Sequence, residues 1–340
     1  MNSLARTRAA IRGEAVDSLP CFPIFIAPAC ELTGVKQGVY SQDPAVMADT
    51  LLAARDLTGA DGIYVSRDNW VYHEALGGTM VFPEDDEPNG EGPLLGNIGE
   101  FRRLTVPDPE SAPGMRTLLD AARRVVAAVG DDLYIQANID CGPMSLAAIL
   151  RGPQAFMMDL VTEDKAEIHD LLAFCTRVVI AYGEAMIATG VHGIQYGDSV
   201  ASLVSAAHYE TFALPYQHES FAALSGRDSD LWLHICGRTN HLLPLVSRLQ
   251  IDGFEVDSLV DLSEARKLLG AQIALKGNLD TTFLLTESPE SVYAATRAMI
   301  RDYAEGTGLV VSPGCGVPRM TPLANLQAMV QACRDSPPGR

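Results

Sequence analysis

Eight short β-rich apolar segments alternate with longer segments of helical periodicity, and this alternation constrains the fold of the chain more than any other feature. The predicted strands lie near residues 21–27, 61–66, 133–139, 192–198, 231–236, 253–258, 272–277 and 308–314. The predicted helices lie near residues 43–57, 115–129, 151–189, 208–224, 240–249, 261–269, 289–305 and 321–334. Strands that alternate with helices are typical of parallel α/β sheets. We therefore predict an α/β protein with a (β/α)8 TIM-barrel fold; an open, doubly wound sheet is the alternative, because a strand count does not show closure.

Residues 67–114 interrupt this alternation with a segment rich in Gly, Pro and acidic residues. We predict that they form an inserted loop or hairpin region near the N-terminal third, over the mouth of the barrel. A solvated connector is the alternative, since this composition is also typical of exposed turns. No Pro- or Ser-rich linker divides the sequence, so residues 1–340 are predicted to form a single barrel domain.

The chain carries a formal net charge of −18, from 25 Lys and Arg against 43 Asp and Glu. This balance argues against a nucleic-acid partner and against docking on an anionic membrane surface, since both need a basic patch. No apolar stretch approaches the roughly 18–20 residues that a membrane helix requires. The first twenty residues lack the apolar core of a secretory signal, and the seven cysteines show no paired spacing. We therefore predict a cytoplasmic protein with free thiols.

One imidazole and two thiols are predicted at the carboxyl ends of strands, where TIM barrels carry their active sites. The fifth predicted strand ends in His234 and Cys236, whose side chains share a face because they are two residues apart. Cys315, between two glycines, follows the eighth predicted strand at the same end. Zn²⁺ prefers tetrahedral nitrogen and sulfur ligands, and three protein ligands leave a position open for catalysis. The alternative is that both cysteines are small core residues and His234 is a hydrogen-bonded core histidine.

Four further residues near the same end are candidate functional groups. Asp198 ends the fourth predicted strand and Glu74 follows the second. Each is a candidate fourth zinc ligand or base for an incoming thiol, and a hydrogen bond within a loop is the alternative. Asn278, after the seventh predicted strand, is a candidate contact to substrate or cofactor, with capping of the next turn as the alternative. Tyr196 alternates with Asp198 and is a second candidate for cofactor contact, with a place in the core as the alternative.

Several segments of the C-terminal half carry a family pattern. They are His234-Ile-Cys236-Gly, GFEVDS (253–258), LKGNLD (275–280), SPGCGVP (312–318) and TPLANLQAMVQA (321–332). GPMSLAAILRG (142–152) and the segment 197–216 extend the pattern over most of the chain from about residue 130. Together they resemble the uroporphyrinogen decarboxylase superfamily. Within it, the chain is most similar to the corrinoid-dependent methyltransferase branch, of the methylcobalamin:coenzyme M type.

The resemblance implies a barrel with a zinc site formed by His234, Cys236 and Cys315. It implies methyl transfer between a corrinoid and a small thiol or methylated compound, in a direction that the sequence leaves open. Zn²⁺ would keep the thiol in its nucleophilic thiolate form. The chain has no Asp-x-His-x-x-Gly segment of the kind that supplies an axial ligand in corrinoid proteins. Methylcobalamin is therefore expected to arrive free or on a separate corrinoid protein.

Two alternatives stand beside this hypothesis. The decarboxylase branch needs no metal but binds a polyanionic tetrapyrrole, which requires arginines near the first strand. Here no arginine lies between Arg12 and Arg55, and Lys36 is the only lysine in that interval. The second alternative is a corrinoid- or metal-binding protein without catalytic activity.

Overall fold

The computed structural model describes residues 1–303 and 308–336. Its strands are β1 (Gly62–Val65), β2 (Met80–Val81), β3 (Asn89–Gly90), β4 (Tyr134–Cys141), β5 (Gly193–Gly197), β6 (Asp230–Ile235), β7 (Gly253–Val256), β8 (Ala274–Leu279) and β9 (Leu309–Pro313). Within the described residues, seven of these strands form one parallel sheet in the order β1-β4-β5-β6-β7-β8-β9. Helices separate consecutive strands of this sheet and pack around it, so the fold is a TIM barrel.

Residues 20–22 close the barrel between its last and first strands. The Phe22 N–H donates to the carbonyl of Val311 in β9 at 2.8 Å, and the Val311 N–H donates to Pro20 at 2.9 Å. On the other side, the Asp61 N–H donates to the carbonyl of Cys21 at 2.8 Å, just before β1. The sheet therefore curls into a closed ring, and the open-sheet alternative is wrong.

The predicted strand at 21–27 is also wrong in its extent, because the structure has only a single parallel bridge there, between Cys21 and Val311. Pro20 and Pro23 flank that bridge. Proline has no N–H to donate to a ladder, so a longer strand between β9 and β1 would leave carbonyls of its neighbours unpaired. The other seven predicted strands each overlap an observed one.

Sixteen α-helices lie in the described part of the chain. They are α1 (Ser3–Ile11), α2 (Ala27–Thr33), α3 (Gln37–Tyr40), α4 (Pro44–Thr58), α5 (Val71–Ala75), α6 (Pro113–Val129), α7 (Pro143–Arg151), α8 (Pro153–Thr162), α9 (Lys165–Ile187), α10 (Ala206–Phe212), α11 (Leu214–Leu224), α12 (Leu243–Val246), α13 (Leu262–Leu269), α14 (Thr281–Thr286), α15 (Pro289–Asp302) and α16 (Leu323–Arg334). Many begin with proline at a first-turn position, where its missing N–H costs nothing. The predicted helix at 151–189 is divided into α8 and α9, because the Asp164 side chain caps a new helix by accepting from the Ala166 N–H. No described helix combines the length and apolarity needed to cross a bilayer.

The segment after β1 contains a small antiparallel hairpin, β2 with β3, set outside the barrel sheet. The Gly38 N–H, in α3, donates to the carbonyl of Glu84 in the hairpin at 3.0 Å. Lys36 forms an ion pair with Asp85. These contacts hold the hairpin beside the helices that follow the closing segment, at the carboxyl end of the barrel.

Asp140, near the end of β4, is a buried carboxyl group whose protonation links the stability of the fold to pH. Asp140 has a positive φ of 69°, and its Oδ2 accepts the Tyr72 N–H at 2.8 Å. Desolvation by burial raises the pKa of Asp140 to about 7. Because the folded state prefers the protonated form, the stability contributed by Asp140 is complete below about pH 4 and is lost as the pH rises to about 7.

We therefore expect Asp140→Asn to gain stability relative to the parent protein as the pH rises. Asparagine is uncharged and tolerates positive φ. Its advantage in free energy of unfolding should grow by roughly 1–3 kcal/mol between pH 5 and pH 8. Urea unfolding at several pH values measures this, with Asp132→Asn at an exposed site as the matched control. An advantage of Asp140→Asn that does not change with pH would contradict the assignment.

Candidate metal centre and substrate cavity

His234 and Cys236 leave the end of β6 on the same face, as their spacing predicts. His234 is buried, with 6% of its surface exposed, and Cys236 is half-buried. The His234 Nε2 and Cys236 Sγ atoms lie 3.0 Å apart. Gly237 follows with a φ of +87°, a conformation that favours glycine and turns the chain away from the barrel. The strand end and the turn therefore present an imidazole nitrogen and a sulfur to one point.

Cys315 completes the cluster from the loop after β9. Its Sγ lies 3.8 Å from the Cys236 Sγ and 3.8 Å from the His234 Nε2. The three candidate ligand atoms all lie within 4.8 Å of one another. Tetrahedral zinc, with Zn–S near 2.3 Å and Zn–N near 2.0–2.1 Å, would separate such atoms by roughly 3.5–3.8 Å. The donor set and its spacing fit a zinc ion after a small adjustment of the imidazole.

A backbone hydrogen bond orients the imidazole. The His234 Nδ1 lies 3.1 Å from the carbonyl oxygen of Glu255 in β7, and a carbonyl can only accept. Nδ1 therefore carries the hydrogen, and the lone pair of Nε2 faces the two sulfur atoms. Metal-binding histidines commonly have this arrangement, with a carbonyl or carboxylate fixing the tautomer.

The two thiols share a proton. A hydrogen bond with Cys315 lowers the pKa of Cys236 to about 7, and the Ser199 hydroxyl, 3.1 Å from the Cys236 Sγ, acts in the same direction. The same hydrogen bond raises the pKa of Cys315 to about 12, since that thiol keeps the proton. One thiolate is thus available near neutral pH, and a thiolate is the form of cysteine that binds metals.

The cluster lies in the wall of a cavity of about 390 Å³ at the carboxyl end of the barrel. This volume is in the range of small-molecule sites. Its apolar wall is formed by Ile24, Ile26, Ile149, Val200 and Val317. Its polar wall includes Tyr64, Asn69, Glu87, Asn138 and Gln195. A larger cavity of about 710 Å³ lies among the loops that precede β6, β7 and β8, and none of the cluster residues lines it.

The carboxylates of Asp198 and Glu74 form hydrogen bonds with residues outside the His234–Cys236–Cys315 cluster. Asp198 is fully buried, and its carboxylate accepts the Ser145 N–H at 2.7 Å and the Gln217 amide at 2.8 Å. It therefore caps the N-terminus of α7, and desolvation raises its pKa. Glu74, in α5, accepts from Arg67 at 2.7 Å. Neither side chain lines the cavity.

Tyr196 and Asn278 are directed away from the cavity as well. The Tyr196 ring stacks on Phe221 with centroids 4.6 Å apart, and its hydroxyl is 2.9 Å from the Ser220 Oγ, so it packs between the sheet and α11. The Asn278 amide donates to the carbonyls of Asp257 and Val260 at 3.0 and 2.6 Å. It thereby ties β8 to the loop after β7. The structure thus groups the three metal-ligand candidates and separates the other four candidates from them.

A buried ion pair lies inside the barrel below the cluster. The Lys276 ammonium is 3.0 Å from a Glu255 carboxylate oxygen and 2.7 Å from the Gln136 amide oxygen. The other Glu255 oxygen is 3.9 Å from the His234 Nδ1 and 3.3 Å from the Gln195 Nε2. Both charged side chains are at most 3% exposed. This network supports the imidazole from below, through Glu255.

A profile of the uroporphyrinogen decarboxylase (URO-D) family matches residues 2–336. The chain belongs to the URO-D family. Among its URO-D relatives, a methylcobamide:CoM methyltransferase of Methanosarcina acetivorans is 30% identical over 334 residues, covering 96% of each chain. A uroporphyrinogen decarboxylase of Thioalkalivibrio sulfidiphilus is 27% identical, covering 93% of this chain and 94% of that protein.

A solved structure of a methyltransferase from Methanosarcina mazei superimposes on this URO-D family member with a TM-score of 0.89. The two are 25% identical, and the alignment covers 98% of each chain. The barrel and its outer helices are therefore common to both proteins over almost their whole length.

Several residues of the cavity wall were missed by sequence reasoning. Asn69 and Glu87 come from the segment after β1, where Asn69 gave no signal and the acidic run that contains Glu87 was most simply interpreted as a solvated loop. Asn138 and Gln195 are different, since they are polar residues within apolar strands. Polar residues in barrel strands that point inward need partners there, and Asn138 donates to the Tyr64 hydroxyl at 2.8 Å and to Gln195 at 3.0 Å. That pattern was a usable signal.

Proposed function

We propose that this protein transfers a methyl group between a corrinoid and the sulfur of a small thiol, with zinc held by His234, Cys236 and Cys315. The observation that carries the proposal is the convergence of one imidazole nitrogen and two sulfurs in the wall of a small cavity. Three such ligands leave the fourth tetrahedral position free for a substrate sulfur. The name of the M. acetivorans relative, a methylcobamide:CoM methyltransferase, supports the same chemistry.

Bound zinc would supply a positive charge that keeps the substrate thiol deprotonated near neutral pH. The residues of the chain orient the ligands and surround the substrate sulfur. The Glu255 carbonyl fixes the imidazole, and the Ser199 hydroxyl donates to the Cys236 sulfur. The apolar wall excludes water from the sulfur nucleophile, which raises its reactivity.

The corrinoid is the second substrate in this proposal. The substrate thiolate attacks the methyl carbon, the new S–C bond forms, and the Co–C electron pair stays on cobalt. A cavity of about 390 Å³ has room for a small thiol but not for a whole corrinoid. We therefore propose that the corrinoid presents its methyl face at the mouth, either free or on a separate corrinoid protein.

The decarboxylase alternative has less support, although some relatives carry that name. A porphyrinogen substrate brings several carboxylates, which need cationic partners when they are taken out of water. No Lys or Arg lines the cavity among the residues that the structure describes. The cluster of His234, Cys236 and Cys315 would also have no role in a metal-free reaction.

The ligand set also supports a cytoplasmic location. All seven cysteines are free, and the Cys236 and Cys315 sulfurs are only 3.8 Å apart. A reducing compartment keeps such a pair as thiols, in the state that a metal requires.

Zinc content and methyl transfer test the proposal together. Purified protein is expected to hold about one equivalent of zinc by elemental analysis. With methylcobalamin and a small thiol it should produce the thioether, followed by the absorbance change of the corrinoid. Protein stripped with a chelator should lose this activity and regain it with added Zn²⁺. Full zinc occupancy without any methyl transfer would favour a binding protein instead.

A further inference from the structure

The charge of the cavity carries information about its substrate. Among the described residues that line the cavity, Glu87 is the one Asp or Glu, and the lining contains no Lys or Arg. Glu87 is half-buried in the hairpin segment, and burial raises its pKa. An anion entering this cavity would lose its hydration beside a carboxylate and find no cation.

Three basic side chains near the cavity are engaged with acids, whereas Arg238, two residues beyond Cys236, is exposed and lies outside the lining. Lys276 pairs with Glu255 below the cluster, and Arg67 pairs with both Asp68 and Glu74. Arg319 lies 3.5 Å from Asp86 at the rim. Each of these three cations has an acidic partner, and neither they nor Arg238 line the cavity.

The helix end that reaches the cavity is also satisfied by an acid. Ser145, in the first turn of α7, lines the cavity. Its N–H donates to the carboxylate of Asp198. The N-terminus of a helix is an anion site only while its N–H groups are free, and here Asp198 takes that position.

This inference rests on the proposed function and concerns the small substrate. We infer that the thiol or thioether entering the cavity carries no negative charge, and that Glu87 selects neutral and cationic compounds over anionic ones. The M. acetivorans relative is named for CoM, a small molecule that carries a thiol and a negatively charged sulfonate. The two proteins would then share the reaction and differ in the charge of the substrate.

Three thiols with the same two-carbon spacer test the charge preference. They are 2-mercaptoethanesulfonate (negative), 2-mercaptoethanol (neutral) and 2-aminoethanethiol (positive). Isothermal titration of the zinc-loaded protein at pH 7.5 is expected to give a Kd for the sulfonate at least about tenfold weaker than for the alcohol. The amine should bind at least as tightly as the alcohol. A sulfonate that binds as tightly as the alcohol overturns the inference.

Glu87→Gln tests the residue held responsible. It removes the charge and keeps the shape, so the ratio of the sulfonate Kd to the amine Kd should fall by about tenfold. Glu84→Gln is the matched control, because it removes a charge from the same hairpin where the side chain is 74% exposed. It should leave the ratio unchanged. A ratio that stays the same in Glu87→Gln overturns the role of Glu87.

Methyl transfer, measured beside binding, separates the two proposals. If the expected order of binding holds but methylcobalamin methylates none of the three thiols, the proposed function fails while the charge preference stands. If all are methylated and the sulfonate is both the tightest ligand and the best acceptor, the function stands and the charge preference fails. If none of the three thiols binds, both the proposed function and the charge preference are contradicted.

Discussion

Replacing Cys315 by alanine is expected to remove zinc from the protein and to reduce methyl transfer at least about 10³-fold. Among the residues that the structure describes, the Cys315 sulfur is one of three ligand candidates that converge here. With two protein ligands left, the ion would no longer be held as in known catalytic zinc sites. A loss of several kcal/mol of transition-state stabilisation corresponds to about three powers of ten in rate.

The control for this variant is Cys30→Ala, which also removes a cysteine sulfur, but one that lies outside the cluster. Cys30 is buried in α2, and burial raises its pKa to about 12. Zinc per chain, by elemental analysis, and the rate with methylcobalamin are measured for both variants. Cys315→Ala that still holds a full equivalent of zinc would exclude the proposed centre, and circular dichroism shows whether the variant is folded.

Replacing Lys276 by methionine is expected to destabilise the protein by about 3–5 kcal/mol, because the Glu255 carboxylate would remain buried without its cation. Both side chains are almost fully inside the barrel, where water cannot replace the lost partner. Urea unfolding measures the shift. Lys267→Met, on the exposed side of α13, is the matched control and should shift the free energy of unfolding by less than about 0.5 kcal/mol.

The double variant Lys276→Met with Glu255→Gln distinguishes an unpaired charge from a simple packing defect. Removing both charges should recover part of the lost stability, since the penalty comes from the isolated carboxylate. If the double variant is less stable than the sum of the two single changes, the ion pair is not the cause.

The alternation of strands and helices was sufficient to predict the barrel, and the two-residue spacing of His234 and Cys236 was sufficient to predict a shared face. Cys315 could be added because parallel strands end at the same side of the sheet. Proline explains the strand that was overestimated: Pro20 and Pro23 reduce it to a single bridge. These successes and this error all follow from local geometry.

The other candidates depended on contacts between distant segments, which no local pattern reveals. Asp198 ends its strand near the cluster, yet it caps α7 through Ser145, 53 residues earlier. Tyr196 packs outward against α11. Glu87, between β2 and β3, lies in the lining of the cavity, whereas the composition of its segment was at least as compatible with a solvated connector.

The ring of strands is joined by hydrogen bonds between residues 20–22 and Val311, which are far apart in the sequence. Because synthesis runs from the N-terminus to the C-terminus, all six strands from β1 to β8 of the barrel sheet are made before this seam can form. Cys315 lies only four residues beyond Val311. Closure of the barrel and synthesis of the third candidate ligand thus coincide, so the proposed metal site cannot be complete in a nascent chain before the barrel can close.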